Sequence, residues 1–351
     1  MTLPGDRSLT CPIPLNTSDR VLLAHGEGAK QSRRLVRDVL LAAFDNEYLR
    51  PLADGATLPG IAGPFAMTTD SYVVSPLFFP GGDIGSLAVH GTVNDLAVCG
   101  AEPLYLSLAM IVEEGLALDV LRRVVGSVRD AARACGVYVV TGDTKVVPRG
   151  AADGLFLTTA GVGRLWPGVN WGVHRVKAGD RIIVSGTVGD HGMAILAARE
   201  ALGFDPPITS DSAPLHNLTK TIITSGCDVR FVRDATRGGV SAVLREVIEA
   251  TGLSARIDEK AVPISDAVRG ASELLGLDPL YVANEGKLIA IVAPADADSL
   301  LARIKADPLG ANAAIVGVIS HDTPAEVVVS GSLGVARVLD EPSGSPLPRI
   351  C

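Results

Sequence analysis

Apolar residues recur along the chain with two periods, and each change of period marks an element. Leu35, Val39 and Ala43 form one row and Val36, Leu40 and Phe44 the next, which predicts a helix after the Gly-rich stretch His25-Gly26-Glu27-Gly28. Residues 65–70 read as a short strand ending in Asp70, and Pro80-Gly81-Gly82-Asp83 opens a helix running to Val98 on Ile84, Leu87, Ala88 and Leu96. There follow a strand over 104–111, a helix over 117–135 closed by Gly136, and a buried-type strand over 137–141 leading into Gly142-Asp143-Thr144-Lys145. A strand over 155–160 ends this half.

A Trp-, Pro- and Gly-rich crossing at 166–180 leads to the second half. Its pattern predicts a strand over 181–188 and helices over 191–202 and 214–225. Arg233-Asp234-Ala235-Thr236-Arg237-Gly238-Gly239 then opens an amphipathic helix on Val240, Val243, Leu244, Val247 and Ile248. A helix over 265–275, the turn Asn284-Glu285-Gly286-Lys287, a strand over 288–293, a helix over 296–305 and strands near 313–319 and 325–329 complete it. Alternation of strand and helix, taken alone, predicts a parallel α/β sheet. Length divides the chain into an arm and helix over 1–44, domains over 45–165 and 175–330, and a tail over 331–351.

Charge and cysteine usage remove several classes. A net charge of −8 without a basic block excludes sequence-independent nucleic-acid binding and attraction to anionic membranes. Cys11, Cys99, Cys135, Cys227 and Cys351 are scattered, with no CxxC pair, which points to a reducing compartment and away from a disulfide framework or a structural zinc site. Met1 to Leu15 has neither a basic nor an apolar signal-peptide region, and no apolar run approaches the ~20 residues that span a bilayer, so the expectation is a cytoplasmic protein.

The C-terminus changes the picture most. Pro342, Gly344, Pro346 and Pro348 disfavour a helix, and the twelve residues from Asp340 to Cys351 reach roughly 40 Å when extended. The α-carboxylate of Cys351 raises its thiol pKa and Arg349 partly offsets this, so the thiol reads as a carrier handle on a flexible tail. Elsewhere, Asp54, Asp70, Asp95, Asp143 and Asp234 lie at element ends beside Gly-rich turns and two cations, Lys145 and Arg237. Gly81 and Gly82 let backbone approach a ligand, Asp83 stands at a helix start, and Asn94 beside Asp95 is polar on an apolar helix. Clustered carboxylates must pair or bind a cation, and hard oxygen ligands with phosphate select Mg²⁺, so a Mg–nucleotide site without a Walker A sequence is the reading. His25, His90 and His191 have no ligating spacing.

Seven stretches carry a resemblance: Thr68-Thr-Asp-Ser-Tyr-Val73, Phe79-Pro-Gly-Gly-Asp-Ile84, Asn94-Asp-Leu96, Thr141-Gly-Asp-Thr-Lys145, Arg233-Asp-Ala-Thr-Arg-Gly-Gly239, Ala283-Asn-Glu-Gly-Lys287 and Pro348-Arg-Ile-Cys351. The chain resembles the HypE family of [NiFe]-hydrogenase maturation proteins, within the PurM-like aminoimidazole-ribonucleotide-synthetase superfamily. The Asp-rich motifs are common to that superfamily, and the Pro-Arg-Ile-Cys terminus singles out the family. One departure is Ala29, where the pattern has glycine after His25-Gly-Glu-Gly.

The resemblance implies a two-domain α+β PurM-like fold, a homodimer through the first domain, and ATP with Mg²⁺ as cofactors. It implies that a HypF-type carbamoyltransferase loads Cys351, that the group is dehydrated to a thiocyanate, and that the cyanide passes to iron on a HypC–HypD complex. By motif, Asp70, Asp95, Asp143 and Asp234, with Asp54, are the metal and phosphate ligands. Gly82, Asp83, Asn94, Asp95, Thr144 and Arg237 line the nucleotide. Glu285 accepts the nitrogen protons and Lys145 orients the carbamoyl or phosphate oxygen. Two other readings stay open: a non-catalytic carrier gated by nucleotide, and a superfamily kinase or synthetase acting on a free small molecule.

Overall fold

The computed structural model of the chain describes residues 19–331 and 334–340. The N-terminal helix runs from α1 (Lys30–Leu35) through a wider π turn, Val36–Leu41, into α2 (Ala42–Phe44), with Leu35, Val39 and Ala43 buried as the spacing predicts. The first half then forms β1 (Phe65–Tyr72), the short pair β2 (Phe78–Phe79) and β3 (Gly82–Asp83), α3 (Ile84–Val98), β4 (Ala101–Glu113), α4 (Leu118–Cys135), β5 (Tyr138–Val147) and β6 (Leu155–Leu165). The second half forms β7 (Arg181–Val184), α5 (Asp190–Arg199), α6 (His216–Ile223), β8 (Val229–Asp234), α7 (Gly239–Thr251) and β9 (Ser254–Asp258). It continues with α8 (Asp266–Leu275), β10 (Leu288–Val292), α9 (Ala297–Lys305), β11 (Ala314–Ser320), β12 (Val327–Ser330) and β13 (Ala336–Val338).

These strands make a four-stranded sheet in the order β1-β6-β4-β5 and a seven-stranded sheet in the order β13-β12-β9-β11-β7-β10-β8. The parallel sheet that alternation predicts is not formed. Among the described pairs only β4–β5 and β9–β12 run parallel, because β6 returns between β1 and β4 and β10 between β7 and β8. Which strand comes back between which others is a long-range choice that local periodicity does not carry. The short strands β8, β9 and β13 escape the pattern reading, and β5 runs on through Gly142–Lys145 to Val147. Gly142 permits that continuation, because a side chain there would run into the Leu108 carbonyl of the neighbouring strand.

Helix α3 is apolar nearly all round, which is the signature of a helix with no free side. It packs on β1, β6 and β4, against α4, and against α6 and β8 of the second half. Its Ile84 and Leu87 share one core cluster with Met193, Ile195, Ile208 and Ala283, so the two halves meet through buried apolar surface. Among the described residues no helix is long and apolar enough to cross a membrane.

The polar seam between the halves is built on Asn94, 1% exposed. Its Nδ2 donates to the carbonyls of Ala213 (3.0 Å) and Glu285 (3.1 Å), and its Oδ1 accepts from the N–H of Leu215 (2.7 Å). The segment it grips is held at its other end by the Ser210 N–H, which donates to the Pro80 carbonyl at 2.8 Å. Asn94→Ala removes three hydrogen bonds and leaves buried backbone groups unsatisfied, at about 1–3 kcal/mol each before relaxation. We expect about 2–4 kcal/mol lower unfolding free energy in urea titration, with part of the loss recovered by water. An effect below 0.5 kcal/mol would show that the seam does not depend on this amide.

Candidate active site

Four carboxyl groups converge where the halves meet. Strand β1 turns Thr68, Asp70 and Tyr72 toward α3, as the contact of the Tyr72 hydroxyl with Thr92 Oγ1 shows. Thr68 Oγ1 donates to Asp95 Oδ2 at 2.7 Å, and Asp70 Oδ1 accepts from the Ser71 N–H at 2.8 Å. Asp234 ends β8 and lies opposite Leu288, the first residue of β10, so the Asn284–Lys287 turn delivers Glu285 beside it. Asp234 is 6% exposed and Glu285 3%.

The charges repel one another. Burial, then Asp95, pushes the Asp234 carboxyl up to about 7, against the pull of Arg233. Burial and the neighbouring Asp70 raise Asp95, although the Thr68 hydroxyl opposes them. Burial lifts Glu285 well above the usual carboxylate range, followed by repulsion from Asp234, Asp211, Asp70 and Asp95. Such a group of oxygens is short of positive charge, which is the electrostatic requirement of a cation–phosphate site. Among the described residues no three His, Cys, Asp or Glu side chains stand close enough to cage a metal by themselves. Mg²⁺ held by one or two carboxylates, with phosphate oxygens completing its shell, fits this donor set.

Asp54, Asp143, Thr144 and Lys145 do not join that cluster. They line a separate groove of about 560 Å³ together with His25, Gly26, Gly28, Ser32, Arg33 and Arg37. Lys145 Nζ pairs with Asp143 Oδ2 at 2.9 Å, the Thr144 N–H donates to Asp143 Oδ1 at 2.8 Å, and the Lys145 bond comes first in holding the Asp143 carboxyl below its usual range. Within a single chain, then, Asp54 and Asp143 stand apart from Asp70, Asp95 and Asp234. Strands β1 and β5 are opposite edges of the sheet, three strand spacings or about 14 Å apart. In addition, the register puts Asp143 and Lys145 with Ala109 and Ile111 on the face away from α3, whereas Asp70 pairs with the buried Thr159 on the face toward it.

The groove's glycines have distinct tasks. A Cβ on Gly26 would lie 2.8 Å from the Val146 backbone nitrogen, so only glycine lets the turn pass this close to β5. Ala29 has φ −89°, a conformation open to any residue, so the departure from glycine there carries no backbone strain.

The remaining expected residues are spread out. Asp83 is the N-cap of α3, accepting from the Gly85 and Ser86 N–H groups at 2.7 and 3.2 Å. At 1.5 Å per residue it lies about 18 Å along the helix from Asp95. Gly82 pairs with Phe79 in the short hairpin before it, and Arg237 is exposed beyond β8. The Asn94 amide is occupied by backbone groups. Cys351 lies outside the described residues. Pattern reading missed Thr68 as a partner of Asp95, and it missed Asp211, which accepts from the Glu285 N–H at 3.1 Å and pairs with Lys287 at 3.1 Å. Asp211 sits in a loop without periodicity, so only the fold reveals it.

Comparison with known proteins identifies the family. Residues 54–165 match the family model for the N-terminal domain of AIR synthase related proteins, and residues 177–330 match that for the C-terminal domain. The two matches define the class, an AIR-synthase-related protein with the PurM-like fold. The chain is 50% identical over 351 residues to the carbamoyl dehydratase HypE of Cupriavidus necator, covering 99% of this chain and 100% of that one. It is 46% identical to the Escherichia coli HypE over 95% of this chain and 100% of that one. It belongs to the HypE family of carbamoyl dehydratases, the hydrogenase maturation proteins. A HypE crystal structure in complex with ATP superposes with a TM-score of 0.90 at 46% identity, over 94% of this chain and 99% of that one. A HypE–HypF complex gives 0.77 at 44%, over 88% and 99%.

All the perturbed carboxyls of the crevice shift in one direction, which fixes a sign. A carboxyl whose folded pKa is raised binds its proton more tightly when folded, so its favourable contribution is complete below about pH 4 and is lost as pH rises through the folded value, about 7 for Asp234. Metal-free protein therefore loses stability between pH 4 and 7, by about 1.4 kcal/mol per pH unit for each proton retained. In urea titrations across that range Asp234→Asn flattens the slope by close to one proton. An unchanged slope would remove Asp234 as the titrating group.

Proposed function

We propose that the chain dehydrates an S-carbamoyl group on its own Cys351 to a thiocyanate at the expense of ATP, supplying cyanide for the iron of a [NiFe] hydrogenase. The observation that carries this reading is the buried Glu285 carboxyl, four residues along the chain from Tyr281, which holds the start of a cysteine-ended tail. Tyr281 Oη donates to the Asp340 carbonyl at 2.5 Å, only four residues before Glu285. The eleven residues beyond Asp340 reach roughly 36 Å when extended, ample to bring Cys351 back to the crevice. The working parts are then 45–165, which binds ATP and dimerises, 175–330, which supplies Glu285, and 331–351, which delivers the thiol.

The chemistry balances as follows. The carbamoyl oxygen attacks the γ-phosphorus of ATP, and ADP leaves. The nitrogen then gives up two protons as the C–O bond breaks and phosphate departs, leaving S–C≡N. Glu285 takes a nitrogen proton, a task suited to a carboxylate of raised basicity in a site closed to bulk water. Lys145 orients the phosphoryl or carbamoyl oxygen, and Asp70, Asp95 and Asp234, with Asp54 and Asp143 of the groove, hold the cation and phosphates. Mg²⁺ supplies charge neutralisation on the transferring phosphoryl group. A HypF-type carbamoyltransferase loads the thiol and a HypC–HypD complex takes the cyanide.

A homodimer completes the reading. The outer face of the first sheet carries Phe65, Met67, Ile111 and Tyr138 at 58%, 68%, 42% and 53% exposure, and large exposed apolar side chains on one face mark an interface. Asp143 and Lys145 share that face, so a second copy across it brings the groove strand of one chain toward the sheet of the other.

Intact-protein mass decides the function. After incubation with carbamoyl phosphate, a HypF-type carbamoyltransferase and ATP, Cys351 gains one carbamoyl group and then loses one water, the second step only with hydrolysable ATP. Glu285→Gln leaves loading intact and slows water loss by about 10²-fold or more. Dehydration of a free substrate by a chain lacking Cys351 would overturn the tail-delivery reading. Met67→Asp shifts the protein to a monomer in analytical ultracentrifugation, and an unshifted dimer would place the interface elsewhere.

A further inference from the structure

The segment that Asn94 grips also carries an acidic residue that no part of the mechanism above uses. Asp211 is 5% exposed at its side chain and Lys287 10%. The two oxygens of Asp211 divide their work: Oδ1 accepts the Glu285 N–H at 3.1 Å, and Oδ2 meets Lys287 Nζ at 3.1 Å. The peptide on the other side of Glu285 is held as well, since its carbonyl accepts from Asn94 Nδ2 at 3.1 Å and from the Ala213 N–H at 3.4 Å. Both neighbours of this contact are shaped to allow it. A Cβ on Gly286 would strike the Asp211 carbonyl, and one on Gly186 would lie 2.8 Å from Lys287 Cε, so the lysine stem lies flat over glycine.

We propose that Asp211, neutralised by Lys287, is a positioning residue for Glu285: it fixes the backbone that sets where the Glu285 carboxylate stands. The inference rests on the reading of Glu285 as proton acceptor. A buried ion pair is a poor source of net stability, because desolvation offsets most of the attraction. Asp211 ties two residues of one turn, Glu285 and Lys287, to a segment pinned on α3, so its effect is geometric. Glu285 itself receives no hydrogen bond to its carboxylate from the described residues, and its direction is therefore set through its backbone. Misplacing a reacting group by about 1 Å costs on the order of 10²-fold in rate.

The test uses full-length protein carbamoylated on Cys351 by a HypF-type carbamoyltransferase, with single-turnover water loss followed by mass. Asp211→Ala is expected to slow that step on the order of 10- to 100-fold, with ATP KM and the extent of loading within about twofold of wild type. Asp211→Asn keeps one acceptor for the Glu285 N–H, is the variant to use if alanine impairs folding, and should lose less than alanine does. Combined with Glu285→Gln, Asp211→Ala should add no further slowing, because a residue acting through Glu285 has nothing left to position. A rate within twofold of wild type in both Asp211 variants, or equal slowing in the Glu285→Gln background, would overturn the proposal. Wild-type dehydration by Glu285→Gln alone would instead overturn the role of Glu285.

Discussion

The structure depends on a constraint of closeness: the loop around Asp211 must pass between the Pro80–Gly81 turn before α3 and the Asn284–Lys287 turn with no room for side chains on the facing residues. Gly81 and Gly286 supply that room, since a Cβ at either would meet the backbone of Ser210 or Asp211. Once the segment is seated, Asn94 can spend its whole amide on backbone groups from both sides of it. Apolar contact between the halves adds bulk free energy, but it is not directional. The amide and the glycines determine where the halves stand relative to each other.

That seating has an electrostatic cost. Closing the crevice takes Asp95, Asp234 and Glu285 out of water beside Asp70, and burial with mutual repulsion makes these three harder to ionise. A protein selected for stability alone would pair or remove them. Their retention is economical when a polyphosphate and its cation arrive to supply the missing positive charge. Asp211 and Lys287 stand next to the group as a neutral pair, so they add order without adding net charge.

The separation of the Asp143–Lys145 groove from the carboxylate crevice gives the fold a division of labour. One edge of the first sheet, covered by the N-terminal helix, offers a groove with arginines and a lysine. The other edge, covered by α3, offers the carboxylates of the crevice. At the end of the described residues, Tyr281 Oη donates to the Asp340 carbonyl and so holds the chain there.

Much was legible in the order of residues. The helices over Leu35–Phe44, Ile84–Val98, Leu118–Cys135 and Gly239–Thr251 follow from apolar spacing, since the 3.6-residue period and its caps are local properties. The Asp- and Gly-rich motifs are residue types at short spacing, and the resemblance they carry implied the family and its chemistry. Strand order was not legible: β6 and β10 insert between earlier strands through contacts dozens of residues apart, and no local signal encodes which edge a strand will join. For the same reason the sequence grouped five aspartates that the sheet then parted, placing Asp70 and Asp143 on opposite edges and opposite faces. It also passed over Asp211, whose importance comes only from what folding puts beside it. Local chemistry was determined by the sequence alone, and its division between a groove and a carboxylate crevice was decided by tertiary structure, because adjacency across a sheet is a property of the whole chain.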